Sequence, residues 1–532
     1  MARDLELPAI PWLVLPAQWE GHPAILAFSR GEAPVPGAAG GPALFLLSAR
    51  SAALKTVAAW PLPGNSRWLE PLTLAGGETA WLLLGGQDLE IGRVRNGSLT
   101  WQRLCSCASL YGVEDPEELG TRLARDLDGD GADEVVLPTA KGLAVYRTRR
   151  WGQKDLAPVA LEPVTLLLWE AGGKPLQRAP DAAQPKVPEL TPSLAGGVVR
   201  LLRTTQDGFT ALRLPPRVAL SSAIPLNAAT RAKARAAALP SQVLKALAGV
   251  PDGDFKDGGA FVDALARGDA DGALAADLPA LIVALKGGWP ETAPERVALS
   301  GLDATALDRG YLLALEDVTG DGIPDLVFGL VRNQSQILRA TSELRFYPGT
   351  DAAALAFGTP QVLKFSGPAV ATVLRTGARE RVVLVARTDI TLSALLRAIA
   401  THEATIETAV YGLGAGGLGT VPLRNAALTF RGFQEGTQVL LVAANLDGTG
   451  RTDVLLNLQP DVVSLFASDA SGPDLAHAAA TLTGPLPRER EEIFVGDWQD
   501  NGRDSLVFWY RGRKAPPQQR RTLRLVSWEA GQ

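Results

Sequence analysis

Four segments of the chain repeat one nine-residue pattern, and each runs directly into an apolar stretch. Asp126-Leu127-Asp128-Gly129-Asp130-Gly131-Ala132-Asp133-Glu134 leads into Val135-Val136-Leu137. Asp317-Val318-Thr319-Gly320-Asp321-Gly322-Ile323-Pro324-Asp325 leads into Leu326-Val327-Phe328. The third begins at Asn445, ends at Asp453 and leads into Val454-Leu455-Leu456. The fourth begins at Asp497, ends at Ser505 and leads into Leu506-Val507-Phe508. Oxygen-bearing side chains fall at positions one, three and five, glycine at six, and a further oxygen at nine. Alternate residues of a tight turn can aim their side chains at one centre. The glycine permits the bend, because a residue without Cβ takes positive φ at little cost. Hard oxygen ligands gathered this way suit Ca²⁺, which takes six to eight of them. A fixed motif in a fixed strand context is the signature of a repeat architecture.

The first half of each loop resembles an EF-hand loop, but no glutamate stands at position twelve and a strand follows instead of a helix. The repeats as a whole resemble the FG-GAP/VCBS repeats of integrin α-subunit-type β-propellers. That resemblance implies a four-stranded blade with the loop between its first two strands. It also implies the ligands. In the first loop these are Asp126, Asp128, Asp130 and Glu134; in the second, Asp317, Thr319, Asp321 and Asp325. The third offers Asn445, Asp447, Thr449 and Asp453, with only two charges, and should bind weakly because affinity follows ligand charge. Position seven, Ala132 or Ile323, would contribute only its carbonyl. The fourth, with Gln499, Asn501 and Ser505, is expected to be a metal-free turn. Asp133 is expected to face solvent. Calcium would be structural, each ion enclosed by its own loop.

Short apolar runs between turn signals extend over most of the chain, the rhythm of an all-β protein. The reading is a β-propeller of eight four-stranded blades, or seven if one degenerate unit is miscounted, with a small α-helical insertion. Asn96-Gly97 marks a hairpin. The last blade is a strand short, and Leu5-Glu6-Leu7 or the run at 12–15 could complete it. Residues 216–300 change period from two to about 3.6. Leu278, Leu281, Ile282 and Leu285 share one helix face there, with Asp277 as N-cap and Pro279 in the first turn. A second short helix carries Leu392, Leu395, Leu396 and Ile399, followed by His402.

A net charge of −5 gives no reason to expect nucleic acid as a partner. Cys105 and Cys107 are too close in sequence for an easy disulfide and lack further soft ligands nearby. The basic run Arg511 to Lys514 reads as a solvated turn. No stretch of 18 or more residues is continuously apolar, so no membrane span is expected. The start lacks a signal peptide; calcium loops and the family resemblance still point to an extracytoplasmic site, secreted, periplasmic or at the cell surface, with a leader removed. Nucleophile-elbow, zincin and phosphate-loop motifs are missing. The expected function is therefore non-enzymatic: a protein–protein interaction, adhesion or assembly module using its loops or helical insertion. The alternatives are glycan binding through some of the 12 tryptophans, or a polysaccharide lyase.

Overall fold

The computed structural model describes residues 2–29, 41–50, 53–85, 88–106, 122–151, 158–176, 190–195, 198–205, 208–214, 223–237, 239–256, 258–269, 272–302, 309–333, 339–351, 355–388, 391–432, 440–487, 490–510 and 517–528. Cys107 and Arg511 to Lys514 lie outside them.

The fold is an all-β, eight-bladed β-propeller with a small helical insertion. Most strands pair antiparallel with a sequence neighbour, for which a short connection suffices. In chain order, sheet one spans 13–61, sheet two 68–106 and sheet three 124–168. Sheet four takes 191–213 together with 295–298. Sheets five, six and seven span 309–366, 369–431 and 441–483, and sheet eight 493–526. Asn96 and Gly97, at φ 49° and 78°, form the left-handed turn that matches strand twist.

The chain divides into two compact units: 1–62 with 204–209 and 297–532, and 63–203 with 210–296. In the first, apolar faces of successive sheets interdigitate. Val327, Phe346, Val383 and Val385 join sheets five and six, and Leu455, Leu465, Leu506 and Phe508 join seven and eight. Sheet eight takes its outer strand from the other end of the chain. Ala2–Glu6 pairs antiparallel with Thr522–Val526, and Arg524 clamps Asp4 through two hydrogen bonds of 2.6 and 2.8 Å.

In the second unit, the helical insertion leaves sheet four after Gly208–Arg213. It comprises α1 (Ala228–Ala236), α2 (Ser241–Gly249), α3 (Gly258–Ala266) and α4 (Leu278–Lys286). It is shorter than 216–300: Glu291–Thr292 already pairs in parallel with Leu166–Leu167 of sheet three, and Glu295–Ala298 is a strand of sheet four. Asn227 caps α1, its side chain accepting from the backbone N–H groups of Ala229 and Thr230. Asp277 does not cap α4. It ends a 3₁₀ turn with helical backbone angles (φ −94°, ψ −8°), so its carboxylate makes no capping bond. Pro279 does lie in the first turn, and left-handed Gly287 ends the helix. Phe261, Val262, Leu278, Leu281 and Ile282 form one core with Trp151 and Ala160 of sheet three. Trp151 Nε1 donates to the Asp269 carbonyl at 2.6 Å, fixing the insertion to that sheet.

In sheet six, α5 (Leu392–Thr401) starts at Thr391, whose hydroxyl accepts from Ala394 N–H, and ends at His402 in the left-handed region. Its apolar positions are not one buried face. Leu396 and Ile399 are 59% and 62% exposed, and Leu392 and Leu395 have side chains outside the described residues.

Candidate metal loops

All four motif loops are built alike from the backbone up. The position-six glycines lie at φ 78° to 87°, and position one organises the turn around them. Asp126 accepts from Gly129 and Gly131 N–H at 2.7 and 3.0 Å. Asp317 accepts from Gly320, Asp321 and Gly322. Asn445 accepts from Gly450, and Asp497 from Asn501 and Gly502. Position five repeats the device two residues on: Asp130 accepts from Ala132, Asp321 from Ile323, Thr449 from Arg451 and Asn501 from Arg503. These are Asx- and ST-turns, in which short polar side chains stand in for backbone acceptors.

Position nine turns inward. Glu134, only 2% exposed, accepts from Leu127 N–H at 2.9 Å. Burial pushes its carboxyl up to about 7; the Leu127 bond and Arg147 oppose this, while Asp128 and Asp130 reinforce it. Asp325 accepts from Val318, Thr319 and Gly349 N–H, and Asp453 from Leu446 and Ser468 N–H. Asp325 and Asp453 thereby tie their loops to the chain just past the end of the third strand of their own sheets. Ser505 leaves its buried hydroxyl oxygen without a partner.

Position eight departs from the expectation. Asp133 is half-buried rather than solvent-facing. Its carboxylate accepts from Thr73 N–H at 2.6 Å, and its own N–H donates to the Thr73 carbonyl at 2.8 Å. Thr73 ends the first strand of the preceding sheet. Thr452 makes the same reciprocal pair with Arg375, and Asp504 with Asn445. Pro324 occupies this position in the second loop and has no N–H to give. Side-chain acceptors at position eight in the other three loops were the available signal, and reading Asp133 as solvent-facing missed it.

The loops differ in how well they fit a divalent cation. In the first, Asp126, Asp128 and Asp130 each bring an oxygen within 4.8 Å of the others. The Arg147 guanidinium donates to Asp128 at 2.7 Å and lies 3.6 Å from Glu134, so part of this charge is already balanced. In the second, the buried Thr319 hydroxyl has no hydrogen-bond partner, which suits an oxygen meant for a cation. Asp317, Asp321 and Asp325 do not gather as closely as the first trio. In the third, the Thr449 hydroxyl donates to Asp447 at 2.7 Å, so positions three and five satisfy each other across the centre and fit a metal poorly.

The tryptophans form no exposed platform. Trp81, Trp151 and Trp169 are wholly buried, and Trp12, Trp19, Trp101, Trp289 and Trp528 are half-buried. Among the described residues no helix is long and apolar enough to cross a membrane.

No protein-family model matches the chain, and no curated protein matches it. Among solved structures, it is similar to the WD40 domain of SCAP from fission yeast, at 7% identity and a TM-score of 0.30, over 86% of this chain and 79% of that one. A likeness that slight adds nothing to the fold read from the sheets themselves.

Proposed function

We propose that the chain is a non-enzymatic, calcium-stabilised propeller of the FG-GAP/VCBS kind, working outside the cytoplasm as a module that holds a protein partner. The observation that carries the calcium part is the convergence of Asp126, Asp128 and Asp130 in the first loop. The unpartnered Thr319 hydroxyl in the second loop adds to it. Bound calcium would supply the charge that lets these carboxylates sit together. Asp126, Asp128, Asp130 and Glu134 would hold it in the first loop, and Asp317, Thr319, Asp321 and Asp325 in the second. Asn445, Asp447, Thr449 and Asp453 form the weakest of the three sets. The partner would meet the surfaces of the loops and of the helical insertion, since propellers commonly serve as interaction platforms.

Isothermal titration of metal-stripped protein with Ca²⁺ tests the first part. Binding that disappears in Asp126→Ala supports it, and no heat at millimolar calcium overturns it. Affinity capture from envelope extract tests the second, comparing the intact chain with one lacking 226–290. A protein retained by the intact chain, and binding it directly once purified, supports the reading. Retention of glycan alone overturns it.

A further inference from the structure

A cleft of about 610 Å³ opens beside the second motif loop, within the size range of ligand sites. Val318, Thr319 and Gly320 form one wall. The turn from Thr376 to Arg381, between the first two strands of sheet six, forms the second. The glycine-rich hairpin from Gly412 to Gly419 forms the third.

Three observations give the cleft a chemical character. Thr376 is only 4% exposed, and its hydroxyl oxygen is shielded from solvent with no hydrogen-bond partner. Leaving such a group unmatched is costly, so a buried orphan hydroxyl at a cleft wall asks for a ligand atom. Arg379 is exposed on the same turn, and no carboxylate pairs with it among the described residues. Arg381 is already held by Glu316 through two hydrogen bonds of 3.2 and 3.3 Å, which leaves Arg379 as the lining guanidinium open to a ligand. Gly414 and Gly416 have open space where a Cβ would stand, although Gln361 already accepts from Leu418 N–H at 2.6 Å and reaches the Gly416 carbonyl at 3.5 Å in the same hairpin. Among the described residues the lining contains no aromatic ring, so none of them offers a sugar a stacking face.

We propose that this cleft binds a carboxylate side chain carried on an extended polypeptide, with the Thr376 hydroxyl and the Arg379 guanidinium as its donors. The proposal rests on the interaction reading above and names the group the partner presents. Arg379 would grip the carboxylate through two parallel N–H donors, the geometry that guanidinium and carboxylate share. The hairpin main chain would face the peptide backbone.

The test uses the full chain with calcium and pooled hexapeptides of fixed central glutamate, against the same pool with glutamine, inorganic phosphate and a hexuronate oligosaccharide. The expected result is binding of the glutamate pool at least about tenfold tighter than the glutamine pool, the measure of a charge-assisted hydrogen bond. Arg379→Met and Thr376→Val should each remove that preference. Neither should lower the unfolding midpoint, because one side chain is exposed and the other change deletes an unmatched hydroxyl. Equal retention of both pools, or of neither, overturns the proposal. Tighter binding of the hexuronate, or competition by phosphate alone, overturns the polypeptide source. Partner capture that survives both substitutions sinks this site and leaves the interaction reading standing, whereas no capture by the intact chain sinks that reading itself.

Discussion

Position eight of the motif carries Asp133, Thr452 and Asp504, and each bonds twice to the end of a strand in the sheet before it. A side chain and its own backbone amide act together here, so removing the side chain strands the partner amide. Asp133→Ala should cost about 1–3 kcal/mol, read as a lower denaturant midpoint with an unchanged slope. Asp504→Ala should behave alike. An unchanged midpoint in both would show that solvent replaces the clasp freely. Glu70 also acts across a sheet boundary. It accepts from Trp68 Nε1 at 2.9 Å and from the N–H groups of Leu123 and Ala124 at 2.7 and 3.0 Å. Burial outweighs these donors and Arg122, and pushes its carboxyl up to about 7. The folded state then keeps a proton that the unfolded chain releases near 4.5. Stability from this group therefore falls as pH rises from about 4.5 to about 7, by on the order of 3 kcal/mol in all. The stability difference between the protein and Glu70→Gln, measured at pH 4 and pH 8, should change by that amount and in that direction. The bend at the position-six glycine was legible because it depends on a residue within the loop, whereas positions one and five were read as metal ligands and not as the acceptors that shape the turn. Glu70 and position eight were not legible, because their partners stand more than 50 residues away in the chain.

At the scale of elements, the helical insertion shows what periodicity can and cannot reveal. The buried positions Leu278, Leu281, Ile282 and Leu285 follow the 3.6 spacing, so the helix was readable. The same spacing in α5 leaves Leu396 and Ile399 exposed, because periodicity records an apolar face without recording what covers it. The false N-cap at Asp277 came from a similar gap, since a preceding 3₁₀ turn gives that residue helical angles before α4 begins. What closes the insertion is Arg231 of α1. Its guanidinium donates to the carbonyls of Leu247 and Val250 at the end of α2, and pairs with Asp252 at 2.9 Å. The Leu247 carbonyl otherwise accepts only the capping N–H of Val250, at 3.2 Å, and Val250 itself lies past the helix end. Arg231→Met should loosen the insertion by about 2 kcal/mol or more, since bonds to charged groups are the stronger kind. Limited proteolysis should then cut within 226–290 while the sheets stay protected. Uniform resistance to protease would remove Arg231 from that role.

For the molecule as a whole, calcium binding would add stability by mass action, about 2.7 kcal/mol at a hundredfold excess over the dissociation constant. Chelator should lower the unfolding midpoint, and Asp126→Ala combined with Asp317→Ala should make the protein indifferent to chelator. An equal chelator effect in that variant would place the metal elsewhere. The sequence rhythm was enough to count eight blades, because most strands pair with a sequence neighbour and announce themselves locally. The longest-range pairing spans nearly the whole sequence. The strand Ala2–Glu6 meets Thr522–Val526, with Asp4 and Arg524 standing 520 residues apart. At ordinary synthesis rates of about 5–20 residues per second, this strand must wait roughly half a minute to two minutes for its partner to be made. Until then sheet eight has no outer strand, and the waiting segment is an unpaired edge in search of one. Nascent chains on the same message would carry the same segment at the same time. Its acidic and basic residues, Arg3, Asp4 and Glu6, then have a second task, which is to keep neighbouring newborn chains from pairing with one another before their own last strand arrives.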